Sequence, residues 1–74
     1  MYEKILVLGG TGAIGGKLVK ILAEKSYEVF VTSRRRLVSE RKNIKYIQGD
    51  ALDTGFVKKL MVYEYYAVID FMKY

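Results

Sequence analysis

The stretch Leu8-Gly9-Gly10-Thr11-Gly12-Ala13-Ile14-Gly15 decides how the rest of this chain is read. It joins two segments of different hydrophobic period. Before it, Lys4-Ile5-Leu6-Val7-Leu8 is apolar without alternation, the pattern of a strand buried on both faces of a parallel sheet. After it, Ile14, Leu18, Ile21 and Leu22 fall at i, i+4, i+7 and i+8, with Lys17, Lys20 and Glu24 on the other side. That spacing predicts an amphipathic helix from Ala13 to Lys25. Three glycines spaced by three therefore stand between a buried strand and a helix.

Each of those glycines has a physical reason to lack a side chain. Gly9 permits a tight turn out of the strand, where a positive φ is costly for other residues. Gly12 lets a diphosphate approach the backbone, and Gly15 lets the helix pack closely on the sheet. Backbone amides at the helix start, near Ala13 and Ile14, have no intrahelical acceptor, and the helix dipole adds to their attraction for anions. The bland alternative is that the glycines only shape a turn. A kinase-type phosphate loop does not fit, because Thr11 and Leu18 occupy positions where that motif needs Gly and Ser or Thr.

Working outward, Glu28–Thr32 is rich in β-branched and aromatic residues and reads as a second strand. Ile44–Gln48 is a more polar third strand, suited to a sheet edge. Asp53 or Thr54 caps a second helix with the stripe Phe56, Val57, Leu60 and Met61. Tyr66–Phe71 contains the dense run Ala67-Val68-Ile69, a fourth strand and a second candidate for a central one. The segment 34–43 reads either as an irregular crossover or as one holding a helical turn around Leu37–Arg41. Strands alternating with helices indicate an α/β fold with a parallel sheet.

Composition bounds the rest. Seventy-four residues make one domain at most, and chains this short bury only about 60% of their unfolded surface. With no Cys and no His, disulfides and the usual zinc sites are excluded. The longest strictly apolar run, Ile5–Leu8, is far short of the ~20 residues of a membrane helix, and no secretory signal is legible. A cytoplasmic protein without membrane contact is the expectation. Thirteen Lys+Arg against eight Asp+Glu give +5, concentrated in Arg34-Arg35-Arg36, Arg41 and Lys42, which suggests an anionic partner. Tyr63, Tyr65 and Tyr66 cluster before the last strand, as a stacking surface for bases or, more plainly, a half-buried rim.

The glycine loop, the basic segment after strand two, Gly49-Asp50 after strand three and the apolar fourth strand resemble the opening of the extended and atypical short-chain dehydrogenases, the NAD-dependent epimerase/dehydratase family. The resemblance implies the N-terminal half of a Rossmann-type parallel sheet, β-α-β-β-α-β with strand order 3-2-1-4. It makes residues 1–74 a partial dinucleotide-binding domain. The expected cofactor-binding residues are Gly9, Thr11, Gly12, Ala13, Ile14 and Gly15 at the pyrophosphate, and Ser33, Arg34 and Arg35 at the adenosine ribose. An NAD site would place Asp or Glu at the end of strand two. Ser33-Arg34-Arg35 stands there instead, and a guanidinium fork matches a phosphate, so NADP is preferred over NAD. By the resemblance, Asp50 accepts from the adenine amino group and Ala51 brackets the ring, although Asp50 also suits a turn or cap. Phe71 stands where family members often place small residues, and either flanks the ribose or belongs to the core.

Resembling enzymes use a Tyr-x-x-x-Lys pair, the Tyr as acid/base and the Lys lowering its pKa. No Tyr of this chain is followed four residues later by Lys. The catalytic and substrate regions are accordingly expected to be absent, and no catalytic cycle is expected of the chain alone. The exposed edge of strand four is expected to support self-association through Ala67–Phe71. The function so read is that of an NAD(P)-binding half-domain of a nucleotide-sugar epimerase, dehydratase or related reductase. The alternative is a non-catalytic NADP-binding regulatory module or a small basic nucleic-acid-binding protein, although nucleic acid is the less favoured partner.

Overall fold

The computed structural model describes residues 3–9, 12–39 and 41–71. Six elements follow one another: β1 (Lys4–Leu8), α1 (Ala13–Glu24), β2 (Glu28–Ser33), β3 (Ile44–Gln48), α2 (Thr54–Leu60) and β4 (Ala67–Asp70). All strand pairs are parallel and their order is β3-β2-β1-β4. The segment between β2 and β3 is irregular over 34–39, with a turn over 41–43.

β1 lies between β2 and β4, and its unbroken apolar run has a direct cause: both faces are covered. Ile5 and Val7 join Val29, Val31 and Ile44 beneath α1, whereas Leu6 and Leu8 meet Leu60 of α2. β3, the most polar strand, is at an edge, where the exposed Lys45 and Gln48, on opposite faces, meet water at little cost.

The packing face of α1 differs from the expected stripe. Val19 and Ala23 are buried in the core, with Gly15 in line one turn earlier, while Ile14 is 78% and Ile21 49% exposed. Residue size explains the shift. Gly15 and Ala23 add little to a hydrophobic count, yet their small side chains let the helix axis come close to the strands. The bulky Ile14 and Ile21 face water, Leu18 is half-buried, and of the expected stripe Leu22 packs against this core. Met61 also departs from expectation: it is the α2 C-cap and largely exposed, leaving Leu60 as the buried anchor.

α1 ends in a Schellman arrangement, in which the Ser26 amide donates to Ala23 O and the Tyr27 amide to Leu22 O. Ser26 takes the left-handed conformation (φ 69°) that this stop requires. Asn43 Nδ2 donates to Ala23 O at 2.8 Å and to Tyr27 O at 3.0 Å, which ties the entry of β3 to the exit of α1. These contacts fix α1 relative to the strand ends, and so fix the direction in which its N-terminus points.

Candidate functional site: the mouth of α1 and the adjoining crevice

Parallel strands deliver all their C-terminal ends to one side of the sheet. Here those ends are Leu8-Gly9, Ser33-Arg34 and Gln48-Gly49, next to the start of α1. Gly9 has φ 73°, the left-handed region that favours glycine. Its amide donates to the buried Thr32 Oγ1 at 3.0 Å, so the turn out of β1 is held by the end of β2. That role of Thr32 was not read from the sequence. The available signal is a hydroxyl closing an otherwise apolar strand beside a glycine turn.

Gly12 is the N-cap of α1, with φ −76° and ψ 178°, a conformation open to any residue. A Cβ built there meets nothing within 4 Å. Neither backbone strain nor protein packing therefore requires glycine at this position. Among the described residues no side chain caps the helix, and its first turn contains no acidic residue. The amides of the first turn are left for an external acceptor, next to the positive end of a twelve-residue helix. Gly15 is buried against the sheet, as close packing demands. Ile14 exposes its side chain, so its backbone amide is what it offers an anion. Thr11 lies outside the described residues, as does the side chain of Ala13.

Beside this mouth is a cavity of about 310 Å³ lined by Gly9, Thr32, Ser33, Arg34, Arg35, Gly49 and Ala51. Its floor is tied by the Gly49 amide donating to Ser33 O at 2.8 Å and by Gln48 Nε2 donating to Arg34 O at 3.3 Å. Five expected residues, Gly9, Ser33, Arg34, Arg35 and Ala51, thus share one crevice. Ser33 is nearly buried, and its Oγ accepts from the Arg35 amide at 3.2 Å, leaving the hydroxyl proton to donate elsewhere. Arg34 Nε lies 3.9 Å from Asp50 Oδ1, an exposed pair worth little in water and easily exchanged.

Asp50 has the turn role as well. Its Oδ1 accepts from the Leu52 amide at 2.9 Å, fixing the loop into α2. Asp53, not Thr54, caps that helix, with Oδ1 accepting from the amides of Gly55 and Phe56. Gly49 is constrained by packing, since a Cβ there would run into the Phe56 ring. Phe71 packs against the core beneath α1, and its amide donates to Leu8 O at 3.0 Å. Of its two open readings, the structure shows the core one.

A parallel sheet with a glycine turn, an uncapped helix mouth and a crevice across the strand ends defines a nucleotide-binding class of α/β fold. The sequence profile of the NAD dependent epimerase/dehydratase family matches residues 5–72, and the chain belongs to that family. Among solved structures it is similar to the Bordetella bronchiseptica enzyme WbmH in complex with NAD+, at 21% identity, with 100% of this chain and 27% of that one covered and a TM-score of 0.84. It is also similar to the epimerase Mth375 of Methanothermobacter thermautotrophicus (26% identity, 99% of this chain and 23% of that one, TM-score 0.82). A UDP-glucose 4-epimerase gives 30% identity over 92% of this chain and 22% of its own, with a TM-score of 0.73. The chain thus spans about a quarter of the length of these neighbours.

Proposed function

We propose that the chain binds a nicotinamide dinucleotide, with the pyrophosphate on the α1 amides and the adenosine in the crevice between β2 and β3. It would form the dinucleotide-binding part of an NAD(P)-dependent epimerase, dehydratase or related reductase. The observation that carries this reading is the empty space at Gly12. Gly12 combines an ordinary φ and open space at its missing side chain with a place at the head of a helix that no side chain of the described residues caps, which supports a ligand approaching the first-turn amides. WbmH, of the same fold, has NAD+ bound, which supports the ligand class. The pair that moves protons in resembling enzymes is not among these residues, so the role proposed for residues 1–74 is binding and orientation.

Among the two cofactors we favour NADP. No acid follows β2, and Arg34 and Arg35 line the crevice where a 2′-phosphate would arrive. The phosphate would take Arg34 from Asp50 and leave that carboxylate for the adenine amino group. Calorimetric titration with NADPH and NADH tests both levels. NADPH is expected to bind more tightly, and Arg34→Ala to weaken it about tenfold (~1.4 kcal/mol) while leaving NADH unchanged. Equal affinity for the two cofactors removes the NADP preference, and no heat with either removes the dinucleotide reading.

β4 pairs with β1 on one side only, and among the described residues no strand covers its other edge. Val68 is 42% exposed there. Self-association through this edge is therefore part of the proposal, with light scattering at rising concentration as its test; a constant monomer mass overturns it. No helix of the described residues is long and apolar enough to cross a membrane.

A second reading has its own observation. The flank of α1 toward β3 and the irregular segment enclose a cavity of about 510 Å³ lined in part by Gly12, Lys17, Lys20 and Arg41; among the described residues Arg41 has an ion pair, with Glu24 at 3.7 Å, and Lys17 and Lys20 have none. Such a basic groove suits a polyanion. Binding of a short RNA that ignores Arg34→Ala but is weakened by Lys17→Gln and Lys20→Gln would favour that non-catalytic reading.

A further inference from the structure

At the opposite end of the strands, on the α2 face, is a second cavity of a different chemistry. It measures about 590 Å³, within the size range of small-molecule sites. Its lining includes Lys4 at the start of β1, Glu28 and Phe30 of β2, Lys45 of β3, and Tyr63 and Tyr65 from the connection into β4. None of these lines the crevice at the dinucleotide end.

Phe30 is its centre. Tyr65 meets the Phe30 ring edge-on, with centroids 6.0 Å apart and planes at 74°. The Lys45 ammonium lies 5.7 Å from the same centroid and the Lys4 ammonium 6.0 Å, with Lys4 also 5.9 Å from the Tyr63 ring. The two lysines differ in one respect. Lys45 Nζ is neutralised by Glu28 Oε1 at 3.1 Å, whereas no carboxylate of the described residues pairs with Lys4. Ring contacts at these distances are near the outer limit of cation–π attraction and hold the ammonium only weakly.

An aromatic wall, one available cation and a 61% exposed Tyr63 ring together describe a ligand. We propose that this cavity binds a small planar aromatic anion, its ring against Phe30, Tyr63 and Tyr65 and its acidic group on the Lys4 ammonium. Stacking on exposed rings and partial burial supply the apolar part of the affinity. The anion supplies what Lys4 lacks. The Tyr65 hydroxyl, protonated at neutral pH like that of any tyrosine, is a hydrogen-bond donor beside the ligand, and burial with, to a smaller degree, the neighbouring Tyr63 raises the phenol above its ordinary range. The proposal stands independently of the dinucleotide reading.

The test is a titration of the full chain with 2-naphthoate, followed by amide NMR shifts, with neutral 2-naphthylmethanol in parallel. Naphthoate is expected to saturate by about 1 mM, with shifts centred on Lys4, Phe30 and Tyr65. It should bind about fivefold more tightly than the alcohol, the upper range for one exposed charge contact. Lys4→Gln should abolish that preference, Lys4→Arg should keep it, and Tyr63→Ala should weaken both ligands alike. Shifts centred on Gly9 and Gly49, equal binding of acid and alcohol by the unsubstituted chain, an unchanged preference in Lys4→Gln, or no saturation would each overturn the proposal.

Discussion

The two helices begin in opposite ways. At α2, the Asp53 carboxylate folds back and accepts from the amides of Gly55 and Phe56, so the protein itself fills the anion position of that mouth. At α1, Gly12 brings no side chain, no acid follows in the first turn, and no side chain of the described residues fills the corresponding position. The glycines repeat the contrast. Gly49, on the way to α2, is glycine because Phe56 occupies the space of its Cβ, whereas the space at Gly12 is empty. One helix start is complete without a ligand and the other is not. Glycine in a loop is therefore two different statements, and the surroundings of its missing Cβ separate them.

The largest expected effect breaks the comparison at its open end. Gly12→Val should weaken dinucleotide binding about 100-fold (~2.7 kcal/mol), because the branched side chain fills the space proposed for the pyrophosphate. Circular dichroism and Tm should stay near those of the unsubstituted chain, since the φ of −76° suits valine and its Cβ enters open space. Unchanged affinity would mean that the opening has no ligand. Gly49→Ala should do the reverse. Its methyl group meets the Phe56 ring, and overpacking of this kind costs about 2 kcal/mol. For a domain of this size that lowers Tm by roughly 8–16 °C. A wild-type melting curve would show that the ring moves aside freely.

The fold was largely legible because its signals are periodic and local. Ile5–Leu8 without alternation marks a strand covered on both faces, and the polar β3 marks an edge; both positions are as read. What escaped reading depends on relations between distant residues. The α1 face was misassigned because hydrophobicity follows bulk, while helix–sheet approach is governed by small residues such as Gly15 and Ala23. Thr32 holds Gly9 across 23 positions of sequence, and no local pattern announces that bond. In the candidate site, Gly9, Ser33, Arg34, Arg35 and Ala51 line one crevice, but the double use of Asp50 Oδ1, for the Leu52 amide and for Arg34, is visible only in the structure. Gly49 was quoted for its place beside Asp50, and only the packing of Phe56 shows what it does.

The closed mouth offers the next test. Asp53→Ala removes the cap of a seven-residue helix that has little stability of its own, and should cost about 1 kcal/mol by denaturant melting. Dinucleotide affinity should not change, since Asp53 is not among the residues lining the crevice. A loss of affinity as large as the loss of stability would mean that α2 and the crevice are one cooperative unit, and the two helix starts would no longer be separable.

The smallest effect sharpens the open end. Gly16 lies one turn into α1, and a Cβ there also meets nothing within 4 Å. If empty space alone marked a ligand position, Gly16 would be equivalent to Gly12. The two differ in backbone role: Gly12 precedes the helix, and the Gly16 amide is already satisfied by Gly12 O at 2.7 Å. Gly16→Ala should therefore act as an ordinary helix substitution, stabilising by up to about 1 kcal/mol by reducing the freedom of the unfolded chain. NADPH affinity should be unchanged. A loss of affinity at Gly16 comparable to that at Gly12 would extend the ligand from the helix mouth along the basic groove beside α1, which Gly12 and Gly16 line together with Lys17 and Lys20.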